Sequence, residues 1–231
     1  MTRLTGIGAL VTRPEHQANH LCQLIEAEGG AAVRYPALTI KARPDRPAVR
    51  AAIGPADRFD LVIFVSANAV RYGADLLGER RNLPLAAIGQ ATAASLNAAG
   101  YRVSLMPPEG ADSESLLAMP QLAHMNGQRV LIVRGSGGRE LLADALTARG
   151  AEVQYAEMYT REPARPSAKL QAEVETLWRQ GGISVYAATS VELLQALVGI
   201  VTLRCRELMD STALVTGSRR VADAAARLGL G

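Results

Sequence analysis

Short apolar runs alternate with amphipathic stretches along most of the chain. The runs lack the strict polar and apolar alternation of a half-exposed sheet, and such runs are typical of parallel strands buried on both faces. Helical periodicity fills most intervals, as at Leu21, Leu24 and Ile25 ahead of Gly29, where we predict a helix to end. This alternation predicts an α/β protein with doubly wound parallel sheets. The predicted strands are residues 7–12, 31–35, 61–66, 85–89, 103–106, 129–134, 153–156, 184–188 and 213–216.

The second half of the chain repeats the order of the first. A strand ending near Arg13 precedes a helical stretch and Gly29, and a strand ending at Arg134 precedes a helical stretch and Gly150 at the same spacing. Later turns also match, 64–70 with 188–194 and 87–92 with 215–220. The repeat predicts two similar α/β lobes, with ligands bound beyond the carboxyl ends of the strands.

Two extended, proline-flanked segments interrupt the alternation, each directly after the second strand of its repeat. We predict that they form a two-stranded linker and that the second lobe is inserted into the first. The boundaries are then residues 1–36 with 164–231 for the first lobe, 41–158 for the inserted lobe, and 36–41 and 158–164 for the linker strands. A simpler division near residue 125 fits the same pattern.

Composition and charge limit the kinds of ligand that the protein is expected to bind. The chain has 231 residues, of which 48% are hydrophobic, 20% are charged and only 4% are aromatic, so we expect an aliphatic core. The formal charge of +3 comes from scattered arginines without a basic block. This argues against nucleic-acid binding and is compatible with a small anionic ligand.

Two cysteines, Cys22 and Cys205, are too few for a disulfide framework and indicate a reduced compartment. The amino terminus lacks an apolar signal core, and no apolar run reaches the ~20 residues of a membrane span. We therefore expect a cytoplasmic protein that does not bind membranes. Without a coiled-coil pattern or an apolar seam, we also expect a monomer.

Several motifs are incomplete. The glycine-rich segment 135–138 follows a strand but lacks the full spacing of a dinucleotide-binding loop. His16 and His20 have the spacing of two metal ligands without a third, so no metal and no cofactor are predicted. Ser66 and Ser190 lack the glycines of a nucleophile elbow, which counts against a hydrolase.

Five separated segments carry a resemblance to a known family. Residues 130–142, with 146–153 and Tyr159, resemble the uroporphyrinogen-III synthases, and so do segments 10–14, 64–70 and 87–92. The resemblance covers essentially the whole chain. It implies two doubly wound α/β lobes joined by an antiparallel ladder, the second lobe inserted into the first, with the active site in the cleft. The chain departs from the family in a more basic turn at 217–220 and in ending at Leu230-Gly231, before an expected strand and helix.

The activity that the resemblance implies is a cofactor-independent, cyclising hydro-lyase of haem biosynthesis. Such an enzyme converts hydroxymethylbilane into uroporphyrinogen III, with loss of water and inversion of the terminal pyrrole ring. The substrate carries eight carboxylates, which helix N-termini and their turns can bind through backbone N–H groups. The expected substrate-binding residues are Arg13, Ser66, Ala67, Asn68, Gln90, Thr92, Arg134, Gly135, Ser136, Thr189, Ser190, Ser218 and Arg219.

Each of these residues also has a purely structural interpretation. Ser66, Thr92, Ser190 and Ser218 could simply cap helices, and Arg13 and Arg134 could serve local acids or carbonyls. The resemblance makes Tyr159 the candidate catalytic acid, and the alternative is a linker tyrosine packed against the ladder.

Two other functions remain open at this point. One is a non-catalytic, bilobal, cytosolic anion-binding protein. The other is a nucleotide-dependent oxidoreductase or transferase built on the same sheets, because fold does not fix function.

Overall fold

The computed structural model describes residues 2–80 and 82–230. It is an α/β protein with parallel sheets, which confirms the predicted fold class. The chain divides into two compact units, Met1–Ile40 with Arg161–Gly231, and Lys41–Thr160. Each unit contains its own sheet and helices.

Within the described residues, the strands are β1 Gly8–Val11, β2 Ala31–Arg34, β3 Leu38–Ala42, β4 Leu61–Phe64, β5 Leu85–Ala87, β6 Arg129–Gly135, β7 Glu152–Pro163, β8 Val185–Ala187 and β9 Ala213–Val215. The α-helices are α1 Glu15–Ala27, α2 Arg46–Ile53, α3 Ala67–Gly73, α4 Gln90–Ala98, α5 Ser113–Leu117, α6 Leu141–Ala148, α7 Ala168–Arg179, α8 Val191–Ile200, α9 Leu203–Asp210 and α10 Arg219–Arg227.

The first unit has a four-stranded parallel sheet of order β2-β1-β8-β9. Val11 pairs with Ala187, and Ala187 pairs with Val215, so the carboxyl ends of three strands are level. The turns that follow these strands therefore lie along one edge of the sheet.

The second unit has a five-stranded sheet of order β3-β7-β6-β4-β5. Its four strands from β7 to β5 run parallel. Phe64 at the end of β4 pairs with Val133 of β6 and with Ala87 of β5. The turns after β4 and β5, and the loop after β6, thus share one edge.

The linker strand of the second half is longer than predicted. β7 is one strand of 12 residues, which merges the predicted strand 153–156 with the predicted linker 158–164. In the first half the equivalent path is broken between β2 and β3 at Pro36, which has no N–H to donate to a sheet. Ala156, by contrast, pairs with Val133 of β6.

The β3 and β7 strands run in opposite directions. The Ala164 N–H donates to the Ala37 carbonyl at 2.9 Å, and the Arg43 N–H donates to the Met158 carbonyl at 3.1 Å. Residue numbers rise along one strand as they fall along the other. The antiparallel ladder that the resemblance implies is therefore present.

The predicted strand 103–106 is not formed as a strand. Only an isolated parallel bridge between Ala86 and Leu105 remains. Pro107 and Pro108 follow at once, and because neither can donate a backbone hydrogen bond, the ladder cannot extend.

The predicted aliphatic core is present, and it also includes large aromatic side chains. Aliphatic side chains such as Leu10 and Ile63 are numerous in the core, but Tyr35, Tyr159 and Tyr186 are among its largest fully buried side chains. The few aromatic residues are thus concentrated inside. Cys22 and Cys205 are both buried and free.

A buried hydrogen bond fixes the tryptophan of the first unit. Trp178 Nε1 donates to Thr212 Oγ1 at 2.9 Å, and that hydroxyl donates to the Leu208 carbonyl at 2.7 Å. Both side chains are buried. We predict that Thr212→Val lowers the free energy of unfolding by about 1–3 kcal/mol, because the indole N–H loses its acceptor. Thr212→Ser keeps the hydroxyl and is the control in chemical denaturation. Equal stability of the Val variant and the native chain would contradict this role.

Candidate active site

Ser66 and Ser190 occupy matching positions in the two units and both cap helices. Ser66 Oγ accepts from the Ala69 N–H at 3.0 Å at the start of α3. Ser190 Oγ accepts from the Leu193 N–H at 3.1 Å at the start of α8. Capping is therefore confirmed for these two residues, and both remain half-buried at the carboxyl edges of their sheets.

Thr92 and Ser218 do not cap with their side chains. Gly89 is the N-cap of α4, and Thr92 lies in the first turn with 3% of its surface exposed. Ser218 is the N-cap of α10, but its side chain accepts no hydrogen bond from the helix. Its own N–H donates to Thr216 Oγ1 at 3.3 Å. The capping interpretation is therefore wrong for Thr92, whereas Ser218 occupies the N-cap position without a side-chain hydrogen bond to the helix.

The other predicted turn residues differ in accessibility. Gln90, Thr189 and Arg219 are exposed, whereas Ala67 and Asn68 are half-buried. All five lie within two residues of a strand end or in the first turn of the following helix.

Arg13 and Arg134, which match in the repeat, have different surroundings. Arg13 Nε is buried and has no hydrogen-bond partner, an arrangement that costs free energy unless a ligand supplies an acceptor. Arg134 is 5% exposed and bonds to the carbonyls of Gly135 and Gly137. It also contacts Glu140 at 3.1 Å. Arg134 therefore holds its own loop.

Tyr155 contacts both Arg134 and Glu140, the two residues paired at this loop. The Arg134 guanidinium lies 4.5 Å from the centre of the Tyr155 ring, and the Tyr155 hydroxyl donates to Glu140. Burial, with the hydrogen bond to Glu140, raises the pKa of Tyr155 to about 12. The same bond lowers the pKa of Glu140. Tyr155 thus stays neutral and Glu140 ionised over the ordinary pH range.

Tyr159 is 1% exposed and packs beside the turn after β4. Its hydroxyl lies 3.0 Å from Ser66 Oγ, and its ring centre lies 5.6 Å from that of Tyr72. The ring is therefore buried beside α3, and the hydroxyl lies against a predicted binding residue.

The glycine-rich loop does not offer all the backbone donors that the sequence suggested. The Ser136 N–H donates to the Tyr159 carbonyl at 2.8 Å, and the Gly137 N–H donates to Glu157 Oε1 at 3.2 Å. Both N–H groups are already bonded within the protein. An anion bound at this loop would therefore need other donors than these two N–H groups.

Arg43 and Glu157 were not among the predicted site residues. Arg43 Nη1 donates to Ser136 Oγ at 3.0 Å and to Glu157 Oε2 at 2.8 Å. Arg43 also bonds to Asp45, which lowers the pKa of that carboxyl. Glu157 pairs with Arg134 and Tyr159 pairs with Gly135, and the register shifts between these two pairs, so strand alternation in the sequence does not locate Glu157.

A groove of about 720 Å³ lies in the first unit. Its lining includes His16, Asn19, Arg34 and Arg165, together with Glu15. Arg34 Nη1 donates to Asn19 Oδ1 at 2.7 Å. Neither arginine is among the predicted site residues, because each lies outside the matched turns of the repeat.

Residues 2–80 and 82–230 contain neither a candidate metal cluster nor a candidate membrane-spanning helix. In this part of the chain, no group of three or more His, Cys, Asp or Glu side chains could hold a metal ion. None of the helices described there is long and apolar enough to cross a membrane.

The family model described as Uroporphyrinogen-III synthase HemD matches residues 19–231. The chain belongs to the uroporphyrinogen-III synthase family. It is 34% identical over 225 residues to the uroporphyrinogen-III synthase of Salmonella typhimurium strain LT2, covering 92% of this chain and 90% of that protein. It is 33% identical over 227 residues to that of Escherichia coli K12, covering 95% and 91%. The resemblance is therefore confirmed.

Solved structures of uroporphyrinogen-III synthases share the fold. The Helicobacter pylori protein superposes with a TM-score of 0.66 at 13% identity, covering 97% of this chain and 90% of that chain. A mutant of the Thermus thermophilus protein gives 0.62 at 20% identity, with the same coverage. These two likenesses concern the fold alone.

Gly135 allows Tyr159 to pack against the loop of this family member. A Cβ at Gly135 would lie 2.5 Å from Tyr159 Cε2, and the buried ring has little room to move. We predict that Gly135→Ala lowers the free energy of unfolding by about 1–3 kcal/mol.

Gly199→Ala is the matched control, because no atom lies within 4 Å of its added Cβ and the residue lies in α8. That variant should be as stable as the native chain or slightly more stable. Thermal denaturation measures both. An unchanged Tm for Gly135→Ala would show that the contact does not constrain the loop.

Proposed function

We propose that this chain converts hydroxymethylbilane into uroporphyrinogen III as a cofactor-independent, cyclising hydro-lyase of haem biosynthesis. The observation that carries the proposal is the family match over residues 19–231, supported by relatives named as uroporphyrinogen-III synthases that align with over 90% of the chain. A non-catalytic anion-binding protein and a nucleotide-dependent enzyme are not favoured, because those relatives carry the name of a synthase.

The substrate carboxylates are bound by the turns that follow the strands. The half-buried caps Ser66 and Ser190 lie where the N-terminal N–H groups and dipoles of α3 and α8 favour an anion. Arg13 contributes a buried Nε that has no acceptor in the protein. Arg134 contributes to substrate binding only indirectly, because it bonds to the loop that follows β6. The remaining proposed contacts are Ala67, Asn68, Gln90, Thr92, Gly135, Ser136, Thr189, Ser218 and Arg219.

The groove of the first unit is a proposed extension of these contacts. His16, Arg34 and Arg165 contribute basic groups to it, and Glu15 contributes the opposing charge. Its volume falls within the range of ordinary ligand sites, and two arginines can bind carboxylates bidentately.

The hydroxyl group on the hydroxymethyl carbon is a poor leaving group, so the reaction needs a proton donor there. The C–O bond breaks as the pyrrole nitrogen supplies an electron pair, and the leaving hydroxyl takes up a proton to become water. The carbon then bonds to the already substituted α-carbon of the terminal pyrrole ring, which gives a spiro intermediate. The bond from that α-carbon to its original bridging carbon breaks, the bridging carbon bonds instead to the free α-carbon, and that position loses a proton. The terminal ring is thereby inverted. Tyr159 is the proposed acid. Because its hydroxyl is buried and bonded to Ser66 Oγ, Ser66 lies on the path by which that proton reaches the substrate.

The cellular compartment and the oligomeric state are also part of the proposal. We expect a cytoplasmic monomer. The buried, unpaired Cys22 and Cys205 agree with a reduced compartment, and size-exclusion chromatography measures the oligomeric state.

The direct test is the isomer distribution of the product. Hydroxymethylbilane closes unaided to the I isomer, so purified protein should shift the product to the III isomer. Freshly generated bilane is incubated with and without protein, the products are oxidised, and the porphyrins are separated chromatographically. Formation of the I isomer alone would contradict the proposed function and favour the anion-binding alternative.

Substitution of Tyr159 tests the proposed acid. We predict that Tyr159→Phe lowers kcat by about tenfold to 100-fold, at or below the usual range for a general acid, because the pyrrole nitrogen still assists departure of water. Tyr35→Phe is the matched control. It removes the hydroxyl of another fully buried tyrosine, which bonds to the Ile200 carbonyl at 3.3 Å in the first unit. A native kcat for Tyr159→Phe, or an equal loss in both variants, would rule out the acid role.

A further inference from the structure

Arg43 connects the end of β3 to the glycine-rich loop after β6. Its Nη1 lies 3.0 Å from Ser136 Oγ and 2.8 Å from Glu157 Oε2. Its other nitrogens bond to the Asp45 carboxylate, with Nε at 2.8 Å from Oδ1. The guanidinium is therefore held by three partners, all of them in the second unit.

Glu157 extends this connection to the loop backbone. Its Oε1 accepts from the Gly137 N–H at 3.2 Å while its Oε2 accepts from Arg43. The same carboxylate thus fixes both Arg43 and the loop. Because the Ser136 N–H is bonded to the Tyr159 carbonyl, the side chain of Ser136 is what this residue can still offer to a ligand.

The chemistry of the contact fixes the direction of the Ser136 hydroxyl. A guanidinium can only donate hydrogen bonds, whereas a hydroxyl has one donor and two acceptor positions. Ser136 Oγ must therefore accept from Arg43, which leaves its O–H to donate elsewhere. Among the described residues, the structure gives that O–H no acceptor. Ser136 is half-buried, so the proton is within reach of a ligand.

We propose that Arg43 is a positioning residue that directs the Ser136 hydroxyl to donate a hydrogen bond to a carboxylate of the substrate. Four of the five Arg43 N–H groups donate to Ser136, Glu157 and Asp45, so the proposal gives Arg43 a positioning role and no substrate contact of its own. A positive charge behind the hydroxyl also strengthens its bond to an anion. This inference rests on the proposed function and assigns one substrate contact within it.

A double-mutant cycle tests the proposal. Arg43→Met and Ser136→Ala should each raise KM for hydroxymethylbilane by about tenfold to 100-fold, the cost of one hydrogen bond to a charged group, with kcat within about twofold of native. The double variant should be no worse than the poorer single variant, because both changes remove the same contact. Arg43→Lys keeps the charge and should recover part of the loss.

Arg46→Met is the matched control. Arg46 is as exposed as Arg43, with 28% against 26% of the side-chain surface, and pairs with Asp75 at 2.9 Å away from the loop. It should leave KM unchanged. An unchanged KM for Arg43→Met or for Ser136→Ala, or multiplied effects in the double variant, would overturn the proposal. Formation of the III isomer by the native protein in the same assay separates that outcome from failure of the proposed function.

Discussion

Level pairing of parallel strands is the constraint on which the site depends. In the first unit Val11, Ala187 and Val215 pair across three strands, and in the second Phe64 pairs with residues of both neighbours. Strands that end at one level bring turns that are distant in sequence to one edge. Capping serines, helix N-termini and an arginine then share each edge without a cluster of buried charges. A polyanionic substrate is suited to such a surface, because each turn contributes a small, neutral share of the binding.

The two copies of the repeat differ in the partners of their matching arginines and in the continuity of their strands. Arg13 has a buried Nε without a partner, whereas Arg134 is fully engaged by its own loop and by Glu140. Pro36 interrupts the strand path of the first half, whereas β7 continues unbroken to Pro163. The arginine of the first unit thus has a nitrogen without a partner, whereas the arginine of the second unit bonds to its own loop.

Sequence patterns predicted most of the fold because buried strands leave a strong local signal. They also located the caps at Ser66 and Ser190, whose partners lie three residues away. The contacts of the glycine-rich loop could not be found in this way, because Arg43 and Ser136 are 93 residues apart. Residues 103–106 do not form a strand because two prolines follow them. The prediction of a strand rested on the apolar residues alone and gave these prolines too little weight.

The central claim is that carboxylates bind at the carboxyl edges of both sheets. Backbone amide chemical shifts, followed by NMR during titration with an octacarboxylate porphyrin of the III series, test it most directly. Shifts should concentrate in residues 66–69, 89–92 and 190–193, where the N-terminal turns present N–H groups. Shifts confined to the opposite edges, at 126–129 and 181–184, with none in the turns, would contradict this account.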